Sequence, residues 1–137
     1  MSTDALYKTS LKDVMQQPLT TREDSSIEIA FAKLSSSPSE MVEIVDNDGK
    51  LKGTATKTSV MKALLEGSAQ KSDAITKAMY SSPLSINENL TVQDAIKMLN
   101  DKKVDKLPVV DNEGKLVGTV SRKDLLRKAG SFLRIKL

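Results

Sequence analysis

The sequence predicts a mixed α/β (α+β) fold in which two copies of one β-α-β-β-α unit pack by pseudo-two-fold symmetry into one module. Three features lead to this prediction: a repeated ten-residue segment, a helical stripe repeated at the same spacing, and an Asp-Asn-Asp/Glu-Gly turn in each copy. The chain has 137 residues, enough for one compact domain or two very small ones. A unit of roughly 60 residues is marginally stable alone, so packing the two copies on each other is the economical way to bury their apolar faces.

The repeat is clearest at the predicted turn. Residues 45–54 read Val-Asp-Asn-Asp-Gly-Lys-Leu-Lys-Gly-Thr, and residues 110–119 read Val-Asp-Asn-Glu-Gly-Lys-Leu-Val-Gly-Thr. The offset of 65 residues holds upstream as far as Pro18 and Pro83. A period of this length, shared by a turn and by the helix before it, indicates an internal duplication.

Each unit begins with a short extended piece after its proline and continues as an amphipathic helix. Apolar residues occupy positions i, i+3, i+4 and i+7 from Ile27 in the first unit and from Val92 in the second. Ser26 and Thr91 precede these stripes, and their hydroxyl oxygens can accept hydrogen bonds from free amides of the first helical turn. The sequence therefore predicts an N-capped helix at the same place in both units.

A hairpin and a closing helix complete each unit. The predicted elements are strands 41–45 and 51–55 with helix 57–66 in the first unit, and strands 107–110 and 116–120 with helix 122–129 in the second. The glycine at the end of each turn supplies a positive φ, and Gly67 and Gly130 stand where they can terminate the closing helices. The predicted organisation is an N-terminal segment 1–10, a first repeat 11–67, a linker 68–74, a second repeat 75–130 and a C-terminal tail 131–137.

The composition excludes several classes of function. The chain contains no Cys and no His, which removes thiol nucleophiles, disulfides, zinc sites and histidine acid–base chemistry. It has no P-loop, no glycine-rich dinucleotide motif and no nucleophile–base spacing, so we expect no catalytic residues, no metal site and no catalytic cofactor. Residues 1–12 lack the apolar core of a signal peptide and no apolar run approaches a membrane span, so we expect a cytoplasmic protein without a membrane partner.

Four stretches of the chain resemble the motifs of one family. Residues 78–86 (Ala-Met-Tyr-Ser-Ser-Pro-Leu-Ser-Ile) resemble its opening motif, and residues 14–21 do so with one residue fewer between Met and Pro. Residues 103–111 resemble its Pro-Val-Val-Asp strand, and residues 116–126 resemble its closing motif, a Gly followed by Ser or Thr and then Asp. Residues 11–130 thus resemble a tandem pair of cystathionine-β-synthase (CBS) domains, also called a Bateman module.

The resemblance implies a regulatory function. CBS pairs typically bind AMP, ADP, ATP or S-adenosylmethionine in the cleft between their repeats, where the aspartate of the closing motif holds the ribose diol. Occupancy of that cleft regulates a fused or associated protein. We therefore expect a nucleotide-sensing module and not an enzyme, with a regulated partner and a homodimeric state. The expected subunit contact comprises Val60, Met61, Leu64, Leu65, Leu125, Leu126 and Phe132.

The closing motif of the second repeat carries the stronger expected site. One interpretation is a capping box, in which the Ser121 side chain caps the helix and the side chain of Asp124, at the third helical position, accepts a hydrogen bond from the Ser121 amide in return. The other interpretation places a phosphate at the positive end of the helix and ribose hydroxyls on the carboxylate of Asp124, with Arg122 and Lys123 as cationic donors. By analogy with the family, the site comprises Asp124, Ser121, Thr119, Arg122, Lys123, Pro18, Leu19, Glu40 and Met41.

The second expected site is weaker because Ser59 stands where the other repeat has Asp124, and a hydroxyl accepts hydrogen bonds more weakly than a carboxylate. Its expected residues are Thr54, Thr56, Lys57, Ser59, Pro83, Leu84, Asp105 and Lys106. The first repeat also has Glu43 where the second has Pro108, and together with Glu40 this residue could oppose a polyphosphate.

Two other functions stay open. Loss of the aspartate in one repeat favours a protein-interaction or structural module without bound nucleotide. Residues 71–137 carry 13 basic and 8 acidic side chains, which favours a nucleic-acid binder, but only 3% of the chain is aromatic and single-stranded sites rely on aromatic stacking.

Overall fold

The computed structural model describes residues 3–136, with side chains described from residue 5 to residue 129. The helices are α1 (Thr3–Tyr7), α2 (Ile27–Ser35), α3 (Lys57–Leu65), α4 (Val92–Lys102) and α5 (Arg122–Lys136). The strands are β1 (Thr20–Arg22), β2 (Met41–Val45), β3 (Leu51–Thr56), β4 (Ile86–Asn87), β5 (Lys106–Val110) and β6 (Leu116–Ser121). Strand, helix, hairpin and helix follow each other twice along the chain, which confirms the predicted duplicated α/β fold.

The chain forms two compact units. The Ser59 unit consists of Pro18–Pro83 together with Gly114–Leu116. The Asp124 unit consists of the described residues up to Gln17, Leu84–Glu113 and the described residues from Val117 onward. These units differ from the sequence repeats because the residues just before Pro18 pack with the second repeat and those just before Pro83 pack with the first.

The sheet of the Ser59 unit has the order β1-β2-β3, with β1 parallel and β3 antiparallel to β2. Helices α2 and α3 contribute Ile27, Leu34 and Val60 to an aliphatic core that also contains Ile44 of β2. The stripe predicted from Ile27 is therefore the buried face of α2, as its helical spacing requires.

The sheet of the Asp124 unit has the order β4-β5-β6, with β4 parallel to β5. Val92 and Leu99 of α4 pack with Leu107 of β5 and Leu125 of α5. A short 3₁₀ helix that was not predicted from the sequence adds Leu11 to this core, where the Leu11 amide donates to the carbonyl of Leu90 at 2.8 Å. Local patterns missed this piece because only its packing in the unit stabilises so short a helix.

Most of the predicted caps and turns are confirmed. The amide of Ile29 donates to Ser26 Oγ at 3.2 Å, and the amide of Asp94 donates to Thr91 Oγ1 at 3.3 Å. Gly67 has a φ of 73° and ends α3, which finishes at Leu65, one residue before the predicted end.

The two hairpin turns contain the predicted left-handed glycines. Gly49 and Gly114 have φ values of 82° and 84°. In the first turn, Asp46 Oδ1 accepts hydrogen bonds from the amides of Lys50 at 3.0 Å and Asp48 at 2.9 Å. The bond from the Lys50 amide is the main reason that the pKa of Asp46 lies below its ordinary value. Asp46 thus has a structural role in the turn.

The prediction that Gly130 ends the closing helix was wrong. Helix α5 continues through Gly130 to Lys136. A glycine inside a helix costs about 1 kcal/mol relative to alanine. That cost does not stop α5, because the following residues include the good helix formers Leu133, Arg134 and Lys136, contain no proline, and belong to a helix that also contacts α1.

Two residues of the expected subunit contact are core residues. Val60 is 0% exposed and Leu125 is 3% exposed, because each lies on the inner face of its helix. Their assignment to a subunit contact was therefore wrong, and Leu64 is also partly buried against the core. The exposed members of the set are Met61, Leu65 and Leu126, while the side chain of Phe132 lies outside the described residues.

A close approach between a methionine and a glycine occurs in both units. We call residues 14–17 and 78–82, which precede the first strand of each repeat, the leading segments. A Cβ atom added to Gly118 of β6 would lie 2.5 Å from Met15 Sδ, and one added to Gly53 of β3 would lie 2.5 Å from Met79 Sδ and 2.7 Å from the Tyr80 carbonyl oxygen. Only glycine lets the leading segments run this close to the strands.

This geometry predicts different responses to two equivalent substitutions. We expect Gly118→Ala and Gly53→Ala each to lower the free energy of unfolding by about 2 kcal/mol, because both overpack a closed contact. Adding Met15→Ala should relieve most of the cost of Gly118→Ala, since it removes the two nearest atoms, Sδ at 2.5 Å and Cγ at 2.7 Å. Adding Met79→Ala should not rescue Gly53→Ala, because the Tyr80 carbonyl oxygen stays in place.

Urea unfolding of the four single variants and two double variants measures both couplings. Equal rescue in the two units, or no cost for either glycine substitution, would contradict the proposed packing of the leading segments.

Candidate functional site

The start of α5 holds the most unusual polar group in the Asp124 unit. Ser121 precedes the helix, and its Oγ accepts the hydrogen bond of the Asp124 amide at 3.1 Å, so the predicted N-cap exists. Asp124 lies at the third position of the helix and is only 4% exposed. A carboxylate at this depth needs strong partners, because burial removes its hydration.

The partners of the Asp124 carboxylate are few. Its Oδ1 accepts a hydrogen bond from Gln16 Nε2 at 2.6 Å, and Lys128 Nζ lies 3.6 Å from Oδ2 as an ion pair one helical turn away. Across the described residues, Oδ2 has no hydrogen-bond donor. A buried oxygen without a donor is uncommon in folded proteins and requires an explanation.

The comparison with other caps shows that Asp124 is not an ordinary capping residue. At the start of α4, the Asp94 carboxylate accepts from the Thr91 amide at 2.9 Å and closes a capping box. At the start of α3, Ser59 Oγ accepts from the Thr56 amide at 3.0 Å and closes the equivalent box. Asp124 accepts instead from Gln16, so the capping-box interpretation holds for Ser121 and not for the Asp124 carboxylate.

Of the residues expected to form a site with Asp124, Thr119 and Arg122 already make hydrogen bonds within their own unit. Thr119 is buried, and its Oγ1 donates to the Leu107 carbonyl at 3.2 Å. The Arg122 guanidinium donates to Asn100 Oδ1 at 2.7 Å, to the Val104 carbonyl at 3.3 Å and to Asp105 Oδ1 at 3.4 Å. Of the three residues around the helix start, Lys123 is exposed and has the most freedom to meet an anionic ligand.

Arg122 and Asp105 were expected at different sites, and the structure brings them together. Besides their ion pair, the Arg122 amide donates to the Asp105 carbonyl at 2.8 Å. The other two expected residues of this unit, Leu84 and Lys106, are exposed and partly buried, respectively. Their part in a site stays a prediction.

At the equivalent position in the Ser59 unit, the Ser59 hydroxyl already makes hydrogen bonds within its own unit. Besides accepting from Thr56, the Ser59 hydroxyl lies 3.0 Å from the Ala78 carbonyl oxygen, to which it can donate. Thr54 is buried and pairs with Tyr80 through two backbone hydrogen bonds of 3.1 and 2.7 Å. Lys57 is exposed, and Pro83 and Thr56 are partly buried. The hydroxyl of Ser59 therefore has little capacity left for a ligand.

The remaining expected residues also lie in the Ser59 unit. Leu19 is partly buried and its carbonyl accepts from the Glu43 amide at 2.8 Å, while Met41 pairs with Thr56 across β2 and β3. Pro18 is partly buried and Glu40 is exposed. Their contribution to the Asp124 site stays a prediction from the family resemblance.

Glu43 is 0% exposed at the centre of β2. Its neighbours in the sheet are Thr20 on β1 and Thr54 on β3. The position that carries proline in the second repeat is therefore a buried acidic residue in the first, which makes the two copies chemically different at the sheet as well as at the helix start.

Sequence reasoning missed two residues that contact the Asp124 carboxylate. Lys128 could have been found, because Asp124 and Lys128 have the i, i+4 spacing of a helical ion pair. Gln16 had no comparable signal, because it lies 108 positions away in a leading segment and meets Asp124 only through the fold.

The chain is similar to known proteins of one family. The family model of the CBS domain matches residues 11–66 and 73–131. A CBS domain-containing protein of Dictyostelium discoideum is 30% identical over 130 residues, which cover 87% of this chain and 90% of that protein. An uncharacterized protein of Methanocaldococcus jannaschii is 30% identical over 118 residues, covering 86% of this chain but 28% of that protein. The inosine-5'-monophosphate dehydrogenase of Mycobacterium tuberculosis is 29% identical over 89% of this chain, which spans 22% of the enzyme.

Solved structures of CBS pairs have the same fold. CBSX2 of Arabidopsis thaliana, solved in complex with AMP, has a TM-score of 0.77 and 23% identity over 93% of this chain and 98% of that chain. A CBS domain pair in complex with 5′-methylthioadenosine and S-adenosyl-L-methionine has a TM-score of 0.74 and 28% identity over 90% of this chain and 97% of that chain.

Within residues 3–136, none of the helices is both long and apolar enough to cross a bilayer. The described side chains also contain no group of three acidic residues placed to hold a metal ion.

Proposed function

The chain belongs to the CBS domain family, and we propose that it is a regulatory module that binds an adenosine-type nucleotide, namely AMP, ADP, ATP or S-adenosylmethionine, with Asp124 as the acceptor for the ribose. The observation that carries this proposal is the Asp124 carboxylate, which is 4% exposed and has one oxygen that meets no hydrogen-bond donor within the described part of the chain. Solved CBS pairs in complex with AMP, and with 5′-methylthioadenosine and S-adenosyl-L-methionine, support the choice of ligand class.

The chemistry of the helix start suits such a ligand. An ionised carboxylate only accepts hydrogen bonds, and its two oxygens can take one bond from each hydroxyl of a ribose diol. The first turn of α5 also has a positive potential that favours phosphate, and exposed Lys123 adds a cation nearby. A neutral ligand without a diol would use neither feature.

The two repeats should not bind nucleotide equally. Ser59 replaces the carboxylate with a hydroxyl that already meets the Thr56 amide and the Ala78 carbonyl. A ribose at that position would have to break these contacts for a weaker bond than a carboxylate provides. We therefore assign the regulatory ligand to the Asp124 unit.

The proposal concerns regulation and not catalysis. The chain spans 22% of the dehydrogenase it resembles, so that enzyme's activity does not transfer to it. A module that binds proteins without nucleotide is the second candidate, favoured by the occupied Ser59 hydroxyl. The two candidates differ in whether Asp124 binds a ligand.

The proposal predicts that Asp124→Asn weakens nucleotide binding while a matched substitution does not. Asp124→Asn keeps the shape of the side chain but removes its charge and half of its acceptor capacity, so the affinity for the bound nucleotide should fall at least about tenfold. Asp94→Asn is the control, because Asp94 occupies the same helical position in α4 and serves as a cap. Melting temperatures measured with AMP, ADP, ATP and S-adenosylmethionine, followed by calorimetric titration, provide both readouts.

Each outcome separates the candidates. A stabilising shift with at least one nucleotide that Asp124→Asn abolishes and Asp94→Asn preserves supports the proposal. No shift with any of the four ligands would leave the interaction module as the better account. A short oligonucleotide in the same assay tests nucleic-acid binding, which would appear as a shift that disappears with added salt.

We also infer that the module forms a homodimer through the outer faces of α3 and α5. Met61 is 42% exposed and Leu126 is 65% exposed, and they occupy equivalent positions in the two repeats. Leu65, one turn after Met61, is 81% exposed. Large apolar side chains at equivalent positions are costly to leave in water, and a second copy would bury them.

The dimer proposal predicts that Leu65→Glu converts the protein to a monomer. The substitution should leave the monomer fold intact because Leu65 is exposed, whereas its charge opposes burial in an interface. Leu90→Glu is the control, because Leu90 is 42% exposed and lies outside α3 and α5. Light scattering after size exclusion gives the mass, and a dimer that survives Leu65→Glu would exclude this surface.

A further inference from the structure

The amide of Gln16 occupies one of the two oxygens on which the proposed ribose site depends. Gln16 Nε2 donates to Asp124 Oδ1 at 2.6 Å, whereas among the described side chains the second oxygen, Oδ2, meets the Lys128 ammonium at 3.6 Å and no hydrogen-bond donor. A ribose diol can be held by two separate bonds when each hydroxyl donates to its own carboxylate oxygen, and the Gln16 amide already donates to Oδ1. Binding in this arrangement puts the second hydroxyl in competition with the Gln16 amide for Oδ1.

The Gln16 side chain can leave without disturbing the fold. Its backbone is held on β6 by two hydrogen bonds with Thr119, both 2.9 Å long, and these do not involve the side chain. Gln16 is an exposed residue, so its amide can form hydrogen bonds with water after it leaves the carboxylate. The exchange replaces one neutral donor on a buried carboxylate by another, which makes it thermodynamically accessible.

The Ser59 unit shows that this arrangement is particular to one repeat. There the leading segment has the same backbone pairing, between Tyr80 and Thr54, but the contact with the helix start is the Ala78 carbonyl near the Ser59 hydroxyl. A main-chain oxygen cannot rotate away as a side chain can. The Asp124 unit therefore combines a carboxylate with a removable donor, and the Ser59 unit has neither.

We propose that Gln16 is a specificity-determining residue that competes with the ribose for Asp124 Oδ1; this rests on the proposed nucleotide function of Asp124. A ligand with one ribose hydroxyl binds to Oδ2 and leaves the Gln16–Asp124 hydrogen bond intact. A ligand with the full diol must displace Gln16, so part of its binding free energy replaces that bond. Gln16 thus lowers the preference of the site for a diol over a single hydroxyl.

The proposal makes opposite predictions for two ligands that differ by one hydroxyl. In Gln16→Ala, AMP should bind roughly tenfold more tightly than it binds the wild type, because a hydrogen bond to a charged group no longer has to be broken. The affinity for 2′-deoxy-AMP should change less than about twofold, because that ligand does not displace Gln16. Calorimetric titration of both ligands into the full chain measures the ratio.

Two further variants control for other effects of the substitution. Gln16→Met keeps most of the side-chain volume without the donor and should tighten AMP binding as Gln16→Ala does. Gln17→Ala removes the neighbouring exposed glutamine and should leave both affinities at the wild-type values. Tightening in Gln16→Ala that is absent in Gln16→Met would indicate that space and not the hydrogen bond matters, and would overturn the proposal.

The failure of this inference and the failure of the proposed function give different results. Wild-type binding of AMP with no change, or with weaker binding, in Gln16→Ala would overturn the role of Gln16 and leave the nucleotide function intact. Equal changes for AMP and 2′-deoxy-AMP would also overturn it, since a structural role affects both ligands alike. The absence of AMP binding in every variant would overturn the inference, and the absence of a shift with all four ligands would overturn the proposed function as well.

Discussion

The close contact between each leading segment and a strand glycine determines how both units are built. In the Asp124 unit, Met15 lies so near Gly118 that a Cβ atom there would be 2.5 Å from its sulfur. Met15 packs against the core of the same unit, and the next residue, Gln16, pairs with Thr119 through two backbone hydrogen bonds. This pairing places the Gln16 side chain at the start of α5. A side chain larger than hydrogen at residue 118 would collide with the Met15 side chain of this segment.

The same scaffold supports different chemistry because the third residue of the closing helix differs. Ser59 completes a capping box and meets a main-chain carbonyl, so its polar capacity is satisfied by its own unit. Asp124 meets a side-chain amide on one oxygen, and no described residue donates a hydrogen bond to the other. A buried carboxylate with spare acceptor capacity is costly to stability and is typical of binding sites. Duplication thus preserved the strands, turns and caps while the helix starts diverged.

The repeat made the fold predictable from the sequence, whereas the site could be predicted only in part. The offset of 65 residues and the stripes from Ile27 and Val92 predict local structure, which depends on neighbouring residues. The continuation of α5 beyond Gly130 was missed because one glycine is a weak stop signal when good helix formers follow. The contacts of Gln16 with Asp124 and of Met15 with Gly118 join residues about a hundred positions apart, so no local pattern records them. The motif identified Asp124, and only the structure shows what its carboxylate contacts.

The central claim is that the Asp124 carboxylate binds ribose hydroxyls, and a protein–ligand double-mutant cycle tests it most directly. The cycle compares the binding free energies of AMP and 2′,3′-dideoxy-AMP to the wild type and to Asp124→Asn. A direct contact predicts a coupling free energy of about 2 kcal/mol, because the substitution should matter only when the hydroxyls are present. Additive effects within about 0.5 kcal/mol would contradict the claim, because they would mean that Asp124 influences binding without contacting the ribose.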